Sequence, residues 1–272
     1  MITLLCAKKM ELCQKQQNDN LKERRQGMIY ITGDVHGDWI SRLRKASFPE
    51  QKNLTRDDYV FIAGDFGIWN NSPEENYKLD WLEDRNFSTL FVEGNHSNYD
   101  ILDALPVEMW HGGKVHFIRP HIIHLMRGQI YNINGKKIFT FGGARSHDVQ
   151  DGILEPDDSR IRKWSRDYCK MFRVNHVSWW ERELPNQEEM DEGRKNLAKH
   201  NNKVDFIITH CTASSTQDLL SQGFFEADKL TEYFDTIKQT VEYKKWFFGH
   251  YHTDAALNEK DLCVFEKIMQ IT

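Results

Sequence analysis

Residues 28–38 read MIYITGDVHGD, an apolar run that enters Gly33-Asp34 and, one residue on, His36-Gly37. A carboxylate and an imidazole are poor endings for a buried strand, because buried polar groups are costly unless they are partnered. The same arrangement recurs along the chain. MIYITGD, DYVFIAGD, TLFVEGN, KIFTFGG, VDFIITH and KWFFGH are short apolar runs rich in β-branched and aromatic residues. Near-continuous apolar strands suit a sheet covered on both faces. DWISRLRKA, EENYKLDWLEDR and EADKLTEYFDTIKQTVEY lie between such runs and suit helices. Strand and helix alternating at this spacing predict an α/β fold.

The strand ends share a pattern: Gly33-Asp34, Gly64-Asp65, Gly94-Asn95 and Gly249-His250, with Thr209-His210 the exception. Glycine reaches backbone conformations closed to other residues, which suits sharp turns out of strands. Sites in open α/β sheets form at the carboxyl ends of strands, where these residues fall. Residues i and i+2 of an extended chain point to one side, roughly 6.5–7 Å apart. Asp34 with His36, and His250 with His252 in GHYH, therefore each offer a ligand pair to one cleft. Carboxylate, amide and imidazole together suit divalent Mn, Fe, Zn or Ni. The lack of clustered cysteines argues against a structural zinc site.

GDVHG, GDFG, GNH, an isolated TH and GHYH, in that order over about residues 28–254, resemble the calcineurin-like metallophosphoesterase superfamily. The resemblance implies two facing mixed β-sheets flanked by helices, a four-layer αββα sandwich. It implies one cation held by Asp34, His36 and His252, a second held by Asn95, His210 and His250, and Asp65 bridging them. His96 matches the family's catalytic histidine. The implied cofactors are two divalent ions, Mn first among Mn, Fe, Zn and Ni. The implied chemistry is hydrolysis of a phosphoester, with a bridging hydroxide attacking phosphorus. Two cations about 3.5–4 Å apart activate such a water and neutralise the phosphoryl oxygens, and an imidazole near neutrality assists the leaving group.

Two departures bear on this expectation. GDFGIW lacks the DRG arginine of the large protein Ser/Thr phosphatases, and GNHSN places Ser97 where an acidic residue is common. Asp100 is the nearest substitute carboxylate for His96. GGARSHD at 142–148, followed by RVNHVSWWERE, is similar to a small bacterial and phage-type subgroup. Arg145, His147 and Asp148 follow a strand, and a phosphate-binding role and a plain loop role both fit them; Arg173 is a further candidate. The substrate is a phosphorylated small molecule, a nucleotide or a phosphoprotein. A phosphodiesterase acting on nucleotides or nucleic acid ends, a small Ser/Thr-type protein phosphatase and a non-catalytic metal-binding scaffold are the rivals.

WHGGKVHFIRPHIIH brings together His111, His116, His121 and His124, which read as hairpin histidines more readily than as a third metal site. Trp179 and Trp180 read as core before lid. Residues 155–202 look helical, polar and broken by Pro185, as an insertion covering the catalytic domain of 28–272 would be. Residues 1–27 form a polar extension that is expected to be dispensable. A net charge of -5 gives no general attraction to nucleic acid or to an anionic membrane. Nucleic acid remains a substrate candidate only, and no apolar run has the length of a membrane span. Five cysteines without CxxC spacing read as free thiols, which points to the cytoplasm.

Overall fold

The computed structural model describes residues 27–271, so the extension expected at 1–27 lies outside the described residues but for Gly27. Seven strands form one sheet in the order β15 (Met269–Ile271), β1 (Ile29–Thr32), β2 (Tyr59–Ile62), β3 (Ser88–Phe91), β6 (Ile122–Leu125), β5 (Gly113–Arg119), β4 (Glu108–Trp110). Six form a second: β13 (Ala255–Ala256), β14 (Asp261–Cys263), β12 (Lys245–Phe248), β11 (Phe206–Thr209), β8 (Lys136–Phe141), β7 (Gln129–Ile133). Both have a parallel centre, β1-β2-β3-β6 and β14-β12-β11-β8, with antiparallel strands at the edges. A parallel pair, β9 (Gly152–Leu154) and β10 (Phe172–Val174), stands apart from the two large sheets.

Side-chain alternation shows how the layers stack. Ile29 and Ile31 of β1, Phe61 of β2 and Leu90 of β3 join Ile138, Phe206, Ile208 and Phe247 of the other sheet in one cluster. The residues between them face outward. Tyr30, Val60, Ile62 and Phe91 pack on Trp39 and Leu43 of α1 (Trp39–Leu43) and on Leu79 and Leu82 of α2 (Pro73–Glu83). Helix α3 (Tyr99–Asp103) follows β3, and α4 (Ile161–Trp164) is a single turn. On the opposite surface Phe139, Ile207 and Phe248 meet Met190 and Leu197 of α5 (Gln187–Lys199) and Leu230, Phe234 and Ile237 of α7 (Lys229–Thr240). Helix α6 (Ser214–Ser221) packs beside α7. With a period of two, each central strand supplies both faces, so the sheets face each other and the helices cover the outer surfaces. This is the αββα sandwich.

Cap chemistry explains where the helices start. Ser72 accepts from Glu75 N ahead of Pro73, and Asn186 with Glu189 forms a reciprocal box at α5. Asp228 does the same with Thr231 at α7. Within 155–202 helix is confined to α4 and α5; the rest holds β10, a 3-10 turn at Glu181–Glu183 and irregular chain. Among the described residues no helix is long and apolar enough to cross a membrane. The described cysteines, exposed Cys169 and buried Cys211 and Cys263, are free thiols.

The histidines of the hairpin region find partners within the fold. His116 and His124 are cross-strand neighbours on β5 and β6, their Nδ1 atoms 3.1 Å apart, and His124 Nε2 lies 2.8 Å from Glu93. His111 donates to Asn132 O, and His121 meets Ser88 Oγ. Burial and then His124 lower the His116 pKa from 6.5 to about 4, against the opposing charges of Glu93 and Asp103. An unfolded chain therefore takes up a proton between those values that the folded chain refuses. Stability from this group is complete above pH 6.5 and is lost as pH falls toward 4. The melting temperature of the parent should drop between pH 7 and pH 5, and that of His116→Leu should drop less. Equal drops would show that His116 does not carry the effect.

Candidate metal centre

Among the described residues, Asp34, His36, Asp65, His210 and His252 converge at the carboxyl ends of the central strands, with Asn95 Oδ1 3.1 Å from His210 Nε2, whereas His250 joins neither group of converging atoms and its ring lies 5.0 Å from that of His210. Asp34, His36 and His252 offer atoms within 4.8 Å of one another, and so do Asp34, Asp65 and His210. Asp34 belongs to both groups. Asp34, Asp65 and His210 are buried, whereas His36 is half-buried and His252 exposed, so one group opens to solvent and the other is closed.

Contacts around the rings fix the direction of several lone pairs. His210 Nδ1 lies 2.9 Å from the Ala63 carbonyl and must donate to it, which aims Nε2 into the cluster. There Nε2 lies 3.1 Å from Asn95 Oδ1 and 3.5 Å from Asp65 Oδ2. His36 and His252 meet Nε2 to Nε2 at 3.1 Å, and His252 Nε2 is also 3.1 Å from Asp34 Oδ2. That Oδ2 is buried and accepts no hydrogen bond of regular geometry. Acceptor atoms gathered around an orphaned carboxylate oxygen repel one another unless a proton or a cation lies between them. The donor set of carboxylate, amide oxygen and imidazole therefore fits divalent ions.

The electrostatics agree with a pocket organised for positive charge. Burial works against the Asp65 carboxylate, but His210, His96 and His36 outweigh it and hold its pKa far below the usual range. Burial likewise disfavours the His210 imidazolium, and Asp65 and Asp34 overcome this to raise its pKa to about 9. A proton and a cation thus compete for the same Nε2. Burial, reinforced by His210 and His147, keeps His250 neutral, with its pKa well below 6.5.

The backbone corrects the expected role of the glycines. Of Gly33, Gly64, Gly94 and Gly249, only Gly64 has a positive φ. The other three are required for close approach. A Cβ on Gly94 would sit 2.0 Å from Asp65 Oδ1, one on Gly249 2.2 Å from Asp34 Oδ1, and one on Gly33 2.1 Å from Val264 O. The left-handed turns are taken by four of the candidate ligands: His36 (φ 46°), Asp65 (41°), His250 (69°) and His252 (47°). Such backbone is uncommon outside glycine and clusters at functional sites.

His96 borders the cluster, its ring 5.4 Å from that of His36 and its N–H donating to Asp65 Oδ1 at 2.9 Å. Trp69 Nε1 holds the His96 carbonyl at 2.9 Å, a contact nothing in the sequence suggested. The Asp100 carboxylate proposed as its support is elsewhere, taken up by His176 and Trp180 Nε1. The group beside His96 is Arg173, 3.4 Å from Nε2 and gripped by the Asp148 carboxylate at both Nε and a terminal nitrogen. Burial lowers the His96 pKa; Asp65 opposes this and Arg173 adds to it. His147 reaches His250, their Nε2 atoms 3.0 Å apart. Arg145 turns to Glu226 at 3.5 Å. Trp180 is buried and Trp179 half-buried.

Fold and site together define a metal-dependent phosphoester hydrolase. The chain matches calcineurin-like phosphoesterase over residues 27–254 and belongs to that family. Among solved structures it is similar to that titled as phosphopantetheinyl hydrolase (PptH) from Mycobacterium tuberculosis, at 14% identity over 88% of each chain and a TM-score of 0.42. No curated protein matches the chain.

Proposed function

We propose that the protein hydrolyses a phosphoester at a two-cation centre held by Asp34, His36 and His252 on one side and Asn95, His210 and His250 on the other, with Asp65 between them. The observation that carries this reading is the meeting of two ligand groups at the shared Asp34 carboxylate. Bound there, two divalent ions would supply a water of lowered pKa and charge to neutralise phosphoryl oxygens. His96 stands at the border of the cluster to assist the departing alkoxide. Arg173, pre-oriented by Asp148, supplies a guanidinium to the phosphoryl group from the His96 side. The substrate is a phosphorylated small molecule, a nucleotide or a phosphoprotein.

Metal analysis of the purified protein, followed by turnover of generic monoester and diester chromogens, tests the reading. Two equivalents of metal and hydrolysis of at least one chromogen are expected. Metal without turnover of either would favour the scaffold reading. Arg173→Ala should raise KM about 10–100-fold, the range of one lost charge-assisted hydrogen bond, with a smaller change in kcat. An unchanged KM would remove Arg173 from the substrate contacts.

A further inference from the structure

The loop of residues 145–150 touches the cluster and also lines a cavity. Ser146 Oγ accepts from Asn95 Nδ2 at 3.3 Å and donates to Glu183 Oε2 at 2.6 Å, with Ser146 and Glu183 both buried. The Asn95 it holds places Oδ1 3.1 Å from His210 Nε2. Two residues on, Asp148 grips Arg173 beside His96. The same loop, with residues 224–226, lines a cavity of about 310 Å3. Two contacts join these segments: His147 packs on Phe225, centroids 4.3 Å apart, and Arg145 lies 3.5 Å from Glu226.

The lining has a definite chemistry. Phe224 is 82% exposed. A lone exposed phenylalanine needs no explanation, but this one lines a cavity next to the cluster. Exposed ion pairs add little, so Arg145 and Glu226 can exchange each other for a ligand. Phe224 and the Arg145 guanidinium then offer flat surfaces on which a planar ring can stack. The hydrogen-bonding atoms are mainly acceptors. Glu226 brings a carboxylate, and Gln150 keeps Oε1 free for a ligand while its Nε2 donates to His147 O at 2.5 Å. A ring with N–H groups at its edge satisfies them, as an amino-bearing nucleobase does and a plain phenyl ring does not. A larger cavity of about 430 Å3 touches Asp34 and His36, but Asp38 and Glu266 line it as well. Its Arg42 is already committed to Asp34 O, Thr32 Oγ1 and Phe265 O, and no other lining residue carries a permanent positive charge. That cavity suits an anionic substrate poorly.

We infer that the substrate is a nucleotide whose phosphoryl group lies at the cations and whose base enters the cavity between residues 145–150 and 224–226. This rests on the two-cation reading and selects one substrate class within it. With a monophosphate, water adds to phosphorus as the bond from phosphorus to the ribose oxygen breaks. The ribose oxygen leaves with a proton as the nucleoside, and phosphate remains. The loop at 145–150 serves both halves of the molecule, since Asp148 orients Arg173 toward the phosphoryl group while Arg145 and Gln150 meet the base.

The test uses full-length protein in two measurements. With metal bound, guanosine monophosphate is compared with ribose phosphate, and the p-nitrophenyl ester of guanosine monophosphate with methyl p-nitrophenyl phosphate, which covers both ester classes. In the class that turns over, the nucleotide should have a kcat/KM about 5–150-fold higher, the worth of one base stacked on an aromatic side chain. Phe224→Ala should erase most of that ratio, and Arg145→Ala should lower it in part. Without metal, a fluorescent aminopurine nucleotide should be quenched by stacking in the parent and not in Phe224→Ala. Equal turnover with and without a base, faster turnover of phosphotyrosine than of the nucleotide, or an unquenched probe would each overturn the proposal. A quenched probe with no turnover of any ester would uphold the base site and instead bring down the hydrolytic reading.

Discussion

His96→Ala should lower kcat about 10²–10⁴-fold while both equivalents of metal stay bound. The two halves of that expectation have separate origins. The imidazole is outside both groups of converging atoms and is not among the seven residues proposed to hold the ions, so its loss should leave both positions intact. The contacts that anchor this residue, its N–H on Asp65 and its carbonyl on Trp69, belong to the backbone and survive truncation. The catalytic loss follows from removing a titratable ring that borders the cluster and also touches Arg173. Kinetics and metal analysis on the same sample check the result. Loss of metal in this variant would make His96 a ligand and would overturn its assignment to the leaving group.

Asp65→Ala should reduce metal content from two equivalents to at most one and take hydrolysis to background. Two dications about 4 Å apart repel by about 16 kcal/mol at an effective permittivity near 20. Neutral imidazole and amide ligands do not cancel that repulsion, and a carboxylate lying between the ions does. The bridging role proposed for Asp65 is supported by its Oδ2 lying 3.5 Å from His210 Nε2 and 3.9 Å from His36 Nδ1, one residue from each group. Gly94 lets it come so close, since any side chain there would collide with Oδ1. Retention of two equivalents after this substitution would move the bridging role to Asp34, the carboxylate that enters both groups.

The central strands and the polar residues gathered at their ends were legible because each was marked twice, by an apolar run and by a polar residue that such a run does not otherwise end on. The edges were not legible. Strands of two or three residues, such as β13 and β9, are too short to display a period. Glycine was recognised at the turns but for an incomplete reason, because close approach leaves no local trace that separates it from a positive φ. Asp100 was misread for lack of any sign of His176 and Trp180, far along the chain. Glu183 carries no local signal either; its partner Ser146 is 37 residues away, and only the folded arrangement joins them to Asn95.

The left-handed turns at His36, Asp65, His250 and His252 set durability against function. Each such position costs on the order of 1–3 kcal/mol that glycine would not incur. Selection of variants for heat resistance alone, with no demand for turnover, should therefore enrich glycine at these four positions. The sturdiest descendants would be those that had given up their chemistry.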